Sequence, residues 1–415
     1  MSEQPFSLRR IAVKVYSPSL LYGVGLGAVT PVIALSALDR GATLATAALV
    51  VTLVGFGSLI FNVPAAMLTT RMGERWAMVM AAGWASLGLV LGIIPSNLGL
   101  FSVGVTMLGM AGAVFNLARQ AYLAEAVPLE FRARAMSSLG GIHRVGIFIG
   151  PFAATLAMKW LDIAGAYWVG MAAMAVAMVV CLGIPDLESR APVEEGQSRA
   201  GGSMWSIAKD HKHVLLGLGL GVICLSAVRS TRQVVLPLWG ESIGLDAATI
   251  SLIYGLSGAV DMLIFYPAGK IMDRYGRMWI AVPSMIVMSV AMVLLPMAHS
   301  VPTMLAVAML LGFGNGVGSG IVLTLGVDYS PVSGRAKFLG LWRQLSDTGA
   351  MAGPVLLSGL VAVATLASGV WAIAGISMLG AGIFGYFIPR TKIRIDAPVA
   401  GEEYDHRPSA GQGDA

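Results

Sequence analysis

Twelve stretches of about 20 predominantly apolar residues run through the chain, at 17–38, 44–68, 76–95, 100–124, 135–157, 164–184, 213–239, 247–269, 278–297, 302–326, 336–361 and 366–388. An apolar helix of that length spans the hydrocarbon of a bilayer, and backbone polar groups in lipid must be satisfied within their own segment. Each run therefore reads as a membrane-spanning helix, and the fold class as an all-α membrane protein. Composition agrees: 56% of the 415 residues are hydrophobic and only 12% are charged, whereas a soluble domain carries roughly twice that charge. The 52 glycines suit helices whose backbones approach closely. Cys181 and Cys224 both fall inside spans, which argues against a disulfide framework or a metal cluster and for small buried side chains. The opening "MSEQPFSLRR" lacks a cleavable signal pattern.

Charge sets the orientation. The loop and terminal arginines and lysines, from Arg9 through Arg394, fall on one side of a twelve-span layout, with only Arg40 and Lys159 on the other. The positive-inside rule then puts both termini in the cytoplasm and the protein in the cytoplasmic (inner) membrane as a multi-pass chain. The net charge of +5 follows from this topology and gives no reason to expect a nucleic-acid partner.

The chain also repeats itself. "GKIMDRYGRM" at 269–278 has a damaged copy, "AMLTTRMGER", 203 residues earlier at 66–75. The same offset relates Gly41 to Gly244, Pro64 to Pro267, Arg71 to Arg274, Gly73 to Gly276, Glu125 to Asp328, Arg132 to Arg335, Gly146 to Gly349 and Gly150-Pro151 to Gly353-Pro354. One constant offset through five helices implies two six-helix halves of the same handedness, related by an axis along the membrane normal. The expected domains are a bundle over 1–184, a cytoplasmic linker over 185–212, a second bundle over 213–390 and a disordered cytoplasmic tail over 391–415.

These motifs resemble those of the major facilitator superfamily over nearly the whole chain, and within it the drug/metabolite–proton antiporter-like group. "GKIMDRYGRM" is similar to the family's loop motif between the second and third helices of each half. "GIFIGP" (146–151) and "GAMAGP" (349–354) resemble the glycine–proline element of the fifth helix that is associated with antiporters. "EAVPLEFR" and "DYSPVSGR" resemble acid–arginine pairs at the inner ends of the fourth and tenth helices. The resemblance implies twelve helices in two pseudo-symmetric bundles and transport by alternating access. It implies a cytoplasmic gate of Gly269, Asp273, Arg274, Gly276 and Arg277 with Arg71, Gly73, Glu125, Arg132, Asp328 and Arg335. Asp273 would pair with arginines when that side closes. Glu125 would pair with Arg132, and Asp328 with Arg335. Gly146, Gly150, Pro151, Gly349, Gly353 and Pro354 suit tight helix contact and a local bend. The first loop copy departs from the pattern, with Thr70 where the aspartate belongs, Ala66 for glycine and Glu74 for arginine.

Charges deep inside spans are costly and usually functional. Arg229 and Arg232 lie in the seventh span with Gln233 beside them, Asp261 in the eighth, His143 and Arg144 in the fifth, Arg343 and Asp347 in the eleventh, and Arg119 in the fourth. The family's packing of the fifth helix on the eighth would bring Arg144 to Asp261, as a structural ion pair or as a proton-sensitive one with Asp347, Arg343 and His143. Arginines outnumber aspartates in this group, and Arg229 and Arg232 are the expected surplus, suited to a carboxylate, phosphate or sulfate. With Gln233, Asn116 and Asn315 they form the expected substrate set.

The expected function is a proton-coupled exporter of a small organic solute. Proton-coupled uptake of an organic anion is the alternative, and a sensor or lipid flippase on the same fold a further one. The first span holds no carboxylate for a cationic drug. No metal-ligand spacing, nucleophile elbow or phosphate loop points to an enzyme, a catalytic residue, a metal or a cofactor. The expected partners are a small solute, for which the surplus arginines suit an anion, together with protons and the lipid bilayer, with the protein a monomer.

Overall fold

The computed structural model describes residues 8–94, 97–127, 129–185, 204–331 and 335–391, with the side chains of 8–15, 129–134, 137, 204, 205, 335 and 336 outside that description. The helices are α1 (Leu8–Val29), α2 (Ile33–Asp39), α3 (Leu44–Ile93), α4 (Leu98–Ala126), α5 (Leu129–Leu161), α6 (Ala164–Leu182), α7 (Met204–Asp210), α8 (Lys212–Ser242), α9 (Ala247–Tyr275), α10 (Met278–Leu294), α11 (Val301–Val317), α12 (Ile321–Asp328), α13 (Arg335–Val363) and α14 (Leu366–Arg390). Among the described residues, eleven segments are long and apolar enough to cross a membrane, and one of them, α3, has 50 residues. It holds two crossings, because the backbone turns at Gly73, whose φ of 78° lies in the left-handed region. The expected second and third spans are thus one element with a kink.

Repeat equivalence reaches individual hydrogen bonds. Gly276, the counterpart of Gly73, has φ 96° and ends α9. Thr43 caps α3 by accepting from the Thr46 amide at 3.2 Å, and Asp246 caps α9 by accepting from the Thr249 amide at 3.0 Å. Both cap residues and both donors are 203 positions apart. In the first six spans α1 packs on α5 and α6, and α3 on α4 and α6; in the last six α8 packs on α13 and α14, and α10 on α11 and α14. Across the two sets α5 lies on α9 and α3 on α13. This is the packing that the family resemblance implied.

The glycine–proline elements hold these contacts. A Cβ on Gly146 would strike the Leu20 carbonyl, one on Gly150 the α1 backbone at Val24 and Ala28, one on Gly349 the Ile223 carbonyl and one on Gly353 the Ala227 carbonyl. Backbone meets backbone there, and only glycine fits.

Three expectations change. The tenth span is broken: α11 stops at Val317, Gly320 takes φ 89°, and α12 begins at Ile321. The linker carries the short helix α7, while 186–203 and the tail from 392 lie outside the described residues. Gly269, an expected gate residue whose lack of a side chain would permit a close approach, makes none: a Cβ there would meet open space.

Candidate functional site

Between the two sets of helices lies a cleft in three connected parts. One part, of about 310 Å³, is lined by Arg144 and Pro151 of α5, Arg229, Arg232 and Gln233 of α8, Tyr254 and Asp261 of α9, and Asn315 and Ser319. A second part shares Gln233 and adds Ser58, Asn62, Arg343, Asp347 and Pro354. The third continues past Ser58, Asn62 and Asp347 to Asn116, Gln120, Gly340 and Gln344, toward the arginine-rich end.

The first part is the most highly charged. Asp261 is held from three directions: the Asn315 amide donates to it at 2.5 Å, the Ser319 hydroxyl at 3.5 Å, and the Arg232 guanidinium stands 3.8 Å away. Arg232, itself buried, also donates to the Ser257 hydroxyl at 3.0 Å and lies over the Tyr254 ring. Arg229 donates to the Asn315 carbonyl at 3.1 Å, and its buried Nε has no partner. Arg144 rests over the Phe265 ring, 4.5 Å from its centroid.

The expected pairing is therefore corrected. Arg144 and Asp261 line one cleft, but the ion pair of Asp261 is with Arg232. The surplus cations are Arg144 and Arg229, not Arg229 and Arg232, because Arg232 sits one turn along α8 from Arg229 and reaches the aspartate first. Asn116 lies in the third part of the cleft, apart from the other expected substrate residues. His143 is absent from the lining: its Nδ1 is 3.2 Å from the Ser19 carbonyl and its ring stacks near Tyr22. Arg343 and Asp347 pair at 3.8 Å, one turn apart on α13, and both are open to the cleft.

What brings Asp261 to Asn315 is a feature the spacing of charges could not show. The run "GFGNGVGSG" at 312–320 has glycine at every second position. A Cβ on Gly312 would strike the Ser257 carbonyl, one on Gly316 the Asp261 backbone, and one on Gly318 the Ser284 side chain, with the Arg229 guanidinium at 3.2 Å. The glycines let α11 press onto α9 and α10, and the broken helix exposes backbone where it lines a cavity. That alternation was the available signal for Ser257, Asn315 and Ser319 as one cluster.

At the arginine-rich end the gate residues are mostly apart. Asp273 is exposed and in no ion pair among the described residues. Arg71 and Glu125 are exposed, and Arg274 lies over Tyr275. Asp328 is gripped by Arg277, Nε at 2.6 Å and Nη2 at 3.2 Å. That hydrogen bond holds the Arg277 guanidinium above its ordinary pKa. The expected partner of Asp328 was Arg335, whose side chain, like that of Arg132, lies outside the described residues. The turn at Gly276, where α9 ends, sets Arg277 beside the end of α12.

The sequence matches the family model of the Major Facilitator Superfamily twice, over residues 19–228 and 218–411. The chain belongs to the major facilitator superfamily. This facilitator is a multi-pass membrane protein and a secondary transporter of small solutes, not an enzyme. No curated protein matches its sequence. Solved structures match its fold. A POT family transporter in complex with 5-aminolevulinic acid is 13% identical, with a TM-score of 0.76 over 92% of this chain and 97% of that one. A bacterial homolog of the human lysosomal transporter Spinster, inward-facing and unoccupied, is 12% identical, with a TM-score of 0.74 over 92% and 97%. The nucleoside transporter NupG is 13% identical, with a TM-score of 0.70 over 90% and 98%. At such identity the likeness is one of fold alone.

Proposed function

We propose that this facilitator carries a small organic anion together with protons, with the anion held by Arg144 and Arg229 and the proton by Asp261. The observation that carries this reading is the charge of the cleft between α5, α8 and α9, where three arginines face one aspartate. A bound carboxylate or phosphate answers the two arginines that Asp261 leaves unpaired, and their forks suit it.

Coupling follows from electrostatics. An anion held by Arg144 and Arg229 stands in the same part of the cleft as ionised Asp261, and the two negative charges compete for the same cluster of cations. Protonating Asp261 removes that competitor, and by linkage a bound anion favours the proton equally. Solute and proton thus bind better together than apart, which is the requirement for movement in the same direction. Exchange requires the opposite, that each displace the other. The glycine–proline elements, the basis for expecting an antiporter, are accounted for by helix contact at Gly146 and Gly349. With the arginine-rich end cytoplasmic, an inward proton gradient drives uptake.

A second reading, export of a cation in exchange for protons, has Asp347 in its favour, since that carboxylate is open to the cleft beside Ser58 and Asn62. One experiment separates them. The purified protein is screened by thermal shift against matched organic anions and lipophilic cations. Stabilising ligands are then followed into proteoliposomes under an imposed pH gradient. Anions are expected to stabilise the wild type and not Arg229→Gln, and to accumulate with inward proton flow. Asp261→Asn is expected to keep binding and lose the pH dependence. Stabilisation by cations in both proteins sinks the anion reading.

A further inference from the structure

At the end of the cleft opposite the arginine-rich one, two hydroxyls cross between the helix sets. Ser358 of α13 donates to the Ala45 carbonyl of α3 at 2.7 Å. Thr155 of α5 donates to the Ala248 carbonyl of α9 at 3.2 Å. Ser358 stands 203 positions after Thr155, and Ala248 stands 203 positions after Ala45. The two bonds are therefore one bond written twice, each running from a fifth helix of one half to the second helix of the other. The register agrees in detail. Ala45 and Ala248 are each the second residue of their helix, just inside the equivalent caps Thr43 and Asp246.

We propose that Thr155 and Ser358 are positioning residues of the transport cycle, a matched pair of hydroxyl latches that hold the outer end closed. Each acceptor is a first-turn carbonyl with a lone pair to spare beyond its helical bond. Each latch spans one of the two interfaces, α5 on α9 and α3 on α13, that must part when the outer end opens. Lying on opposite sides of the pseudo-twofold axis, both break in the same movement. They are not equal. Thr155 also donates to the Pro151 carbonyl of its own helix at 2.8 Å, so its single proton is shared. Ser358 has Ala45 as its acceptor and is buried. Ser358 is the stronger latch. The inference concerns the gate and holds for any solute the cleft carries.

The test reads opening directly. Val51 lines the cleft, so Val51→Cys reports access to an impermeant thiol reagent added from outside, while Cys181 and Cys224 are buried and silent. Ser358→Ala is expected to raise the labelling rate about three- to tenfold, the loss of one hydrogen bond. Thr155→Val, which keeps the volume, is expected to raise it less, and the double variant by roughly the product of the two, as for independent sites. Ser358→Thr and Thr155→Ser restore the wild-type rate. A double variant that labels like wild type overturns the proposal. Should the alanine or valine variants not reach the membrane, Ala45→Cys with Ser358→Cys decides: a disulfide that blocks outer labelling and counterflow until reduced supports the latch, and failure to cross-link removes it.

Discussion

Arg119 and Arg232 are both buried arginines inside the membrane, and their surroundings give them opposite energetics. Arg232 has Asp261 and Ser257. Arg119 has no carboxylate among the described residues; its electrostatic neighbours are Tyr22 and His143, and its Nε and Nη1 have no acceptor. Removing one member of a buried pair strands the other, whereas removing an uncompensated charge in favour of an apolar side chain of similar length relieves a desolvation cost. Arg232→Met is therefore expected to destabilise the protein by about 3 kcal/mol, the low end for a buried pair because Asn315 still holds Asp261. Arg119→Met is expected to be neutral or stabilising. Thermal unfolding in detergent compares them, and a larger loss at Arg119 would reveal a partner for it in another state of the cycle.

The helix ends carry the next layer of stability. Asp246 caps α9 through the Thr249 hydroxyl at 2.6 Å and the Thr249 amide, and the hydroxyl bond chiefly holds its carboxyl below the ordinary range. A carboxylate with a depressed folded pKa stabilises fully above its unfolded pKa of about 3.9 and loses that contribution as pH falls through the folded value. Asp246→Ala should cost about 1 kcal/mol near neutral pH, and the difference from wild type should vanish in acid. Thr43, the uncharged equivalent, should show no such pH dependence. The clamp of Arg277 on Asp328 is a further asymmetry of the halves, because its counterparts are Glu74 and Glu125, two like charges. Arg277→Gln is expected to cost about 1.5 kcal/mol, the loss of a charge-assisted bond. Glu74→Arg should gain up to about 1 kcal/mol, as an exposed pair with Glu125. Denaturant titrations of the two variants measure both.

For the molecule as a machine, two hydroxyl bonds that cross between the helix sets at one end, and expected gate residues that stand mostly apart at the arginine-rich end, fit one end of an alternating-access cycle. Asp273 is in no ion pair among the described residues, and as an expected gate residue it would meet cations when the arginine-rich end closes. Neutralising it removes attraction from the inner-closed state alone. Asp273→Asn is expected to bias the protein toward inward opening, measured by labelling from the two sides, and changes at Thr70 are expected to do less. Thr70 already spends its hydroxyl on the Ala66 and Met67 carbonyls of its own helix.

How much of this was legible in the chain depends on the range of the force involved. Span number, the two-fold repeat and the superfamily follow from hydrophobic length and from an offset that survives substitution, because lipid imposes them on each segment separately. The equivalence of Thr43 with Asp246, and of Thr155 with Ser358, is written in the same offset, although nothing local says that a hydroxyl crosses between halves. Partners inside the cleft were not legible. Which cation reaches Asp261, Arg144 or Arg232, is decided by differences of a few ångströms between side chains on three helices. The alternating glycines of 312–320 set how closely α11 meets α9 and so bring Asn315 to Asp261, and no charge pattern announces that approach. The grip of Arg277 on Asp328 likewise depends on the turn at Gly276. Sequence determined which helices cross the membrane and that they do so twice over; only the packed structure decided which charges touch, because ion pairing depends on distances that no residue sets alone.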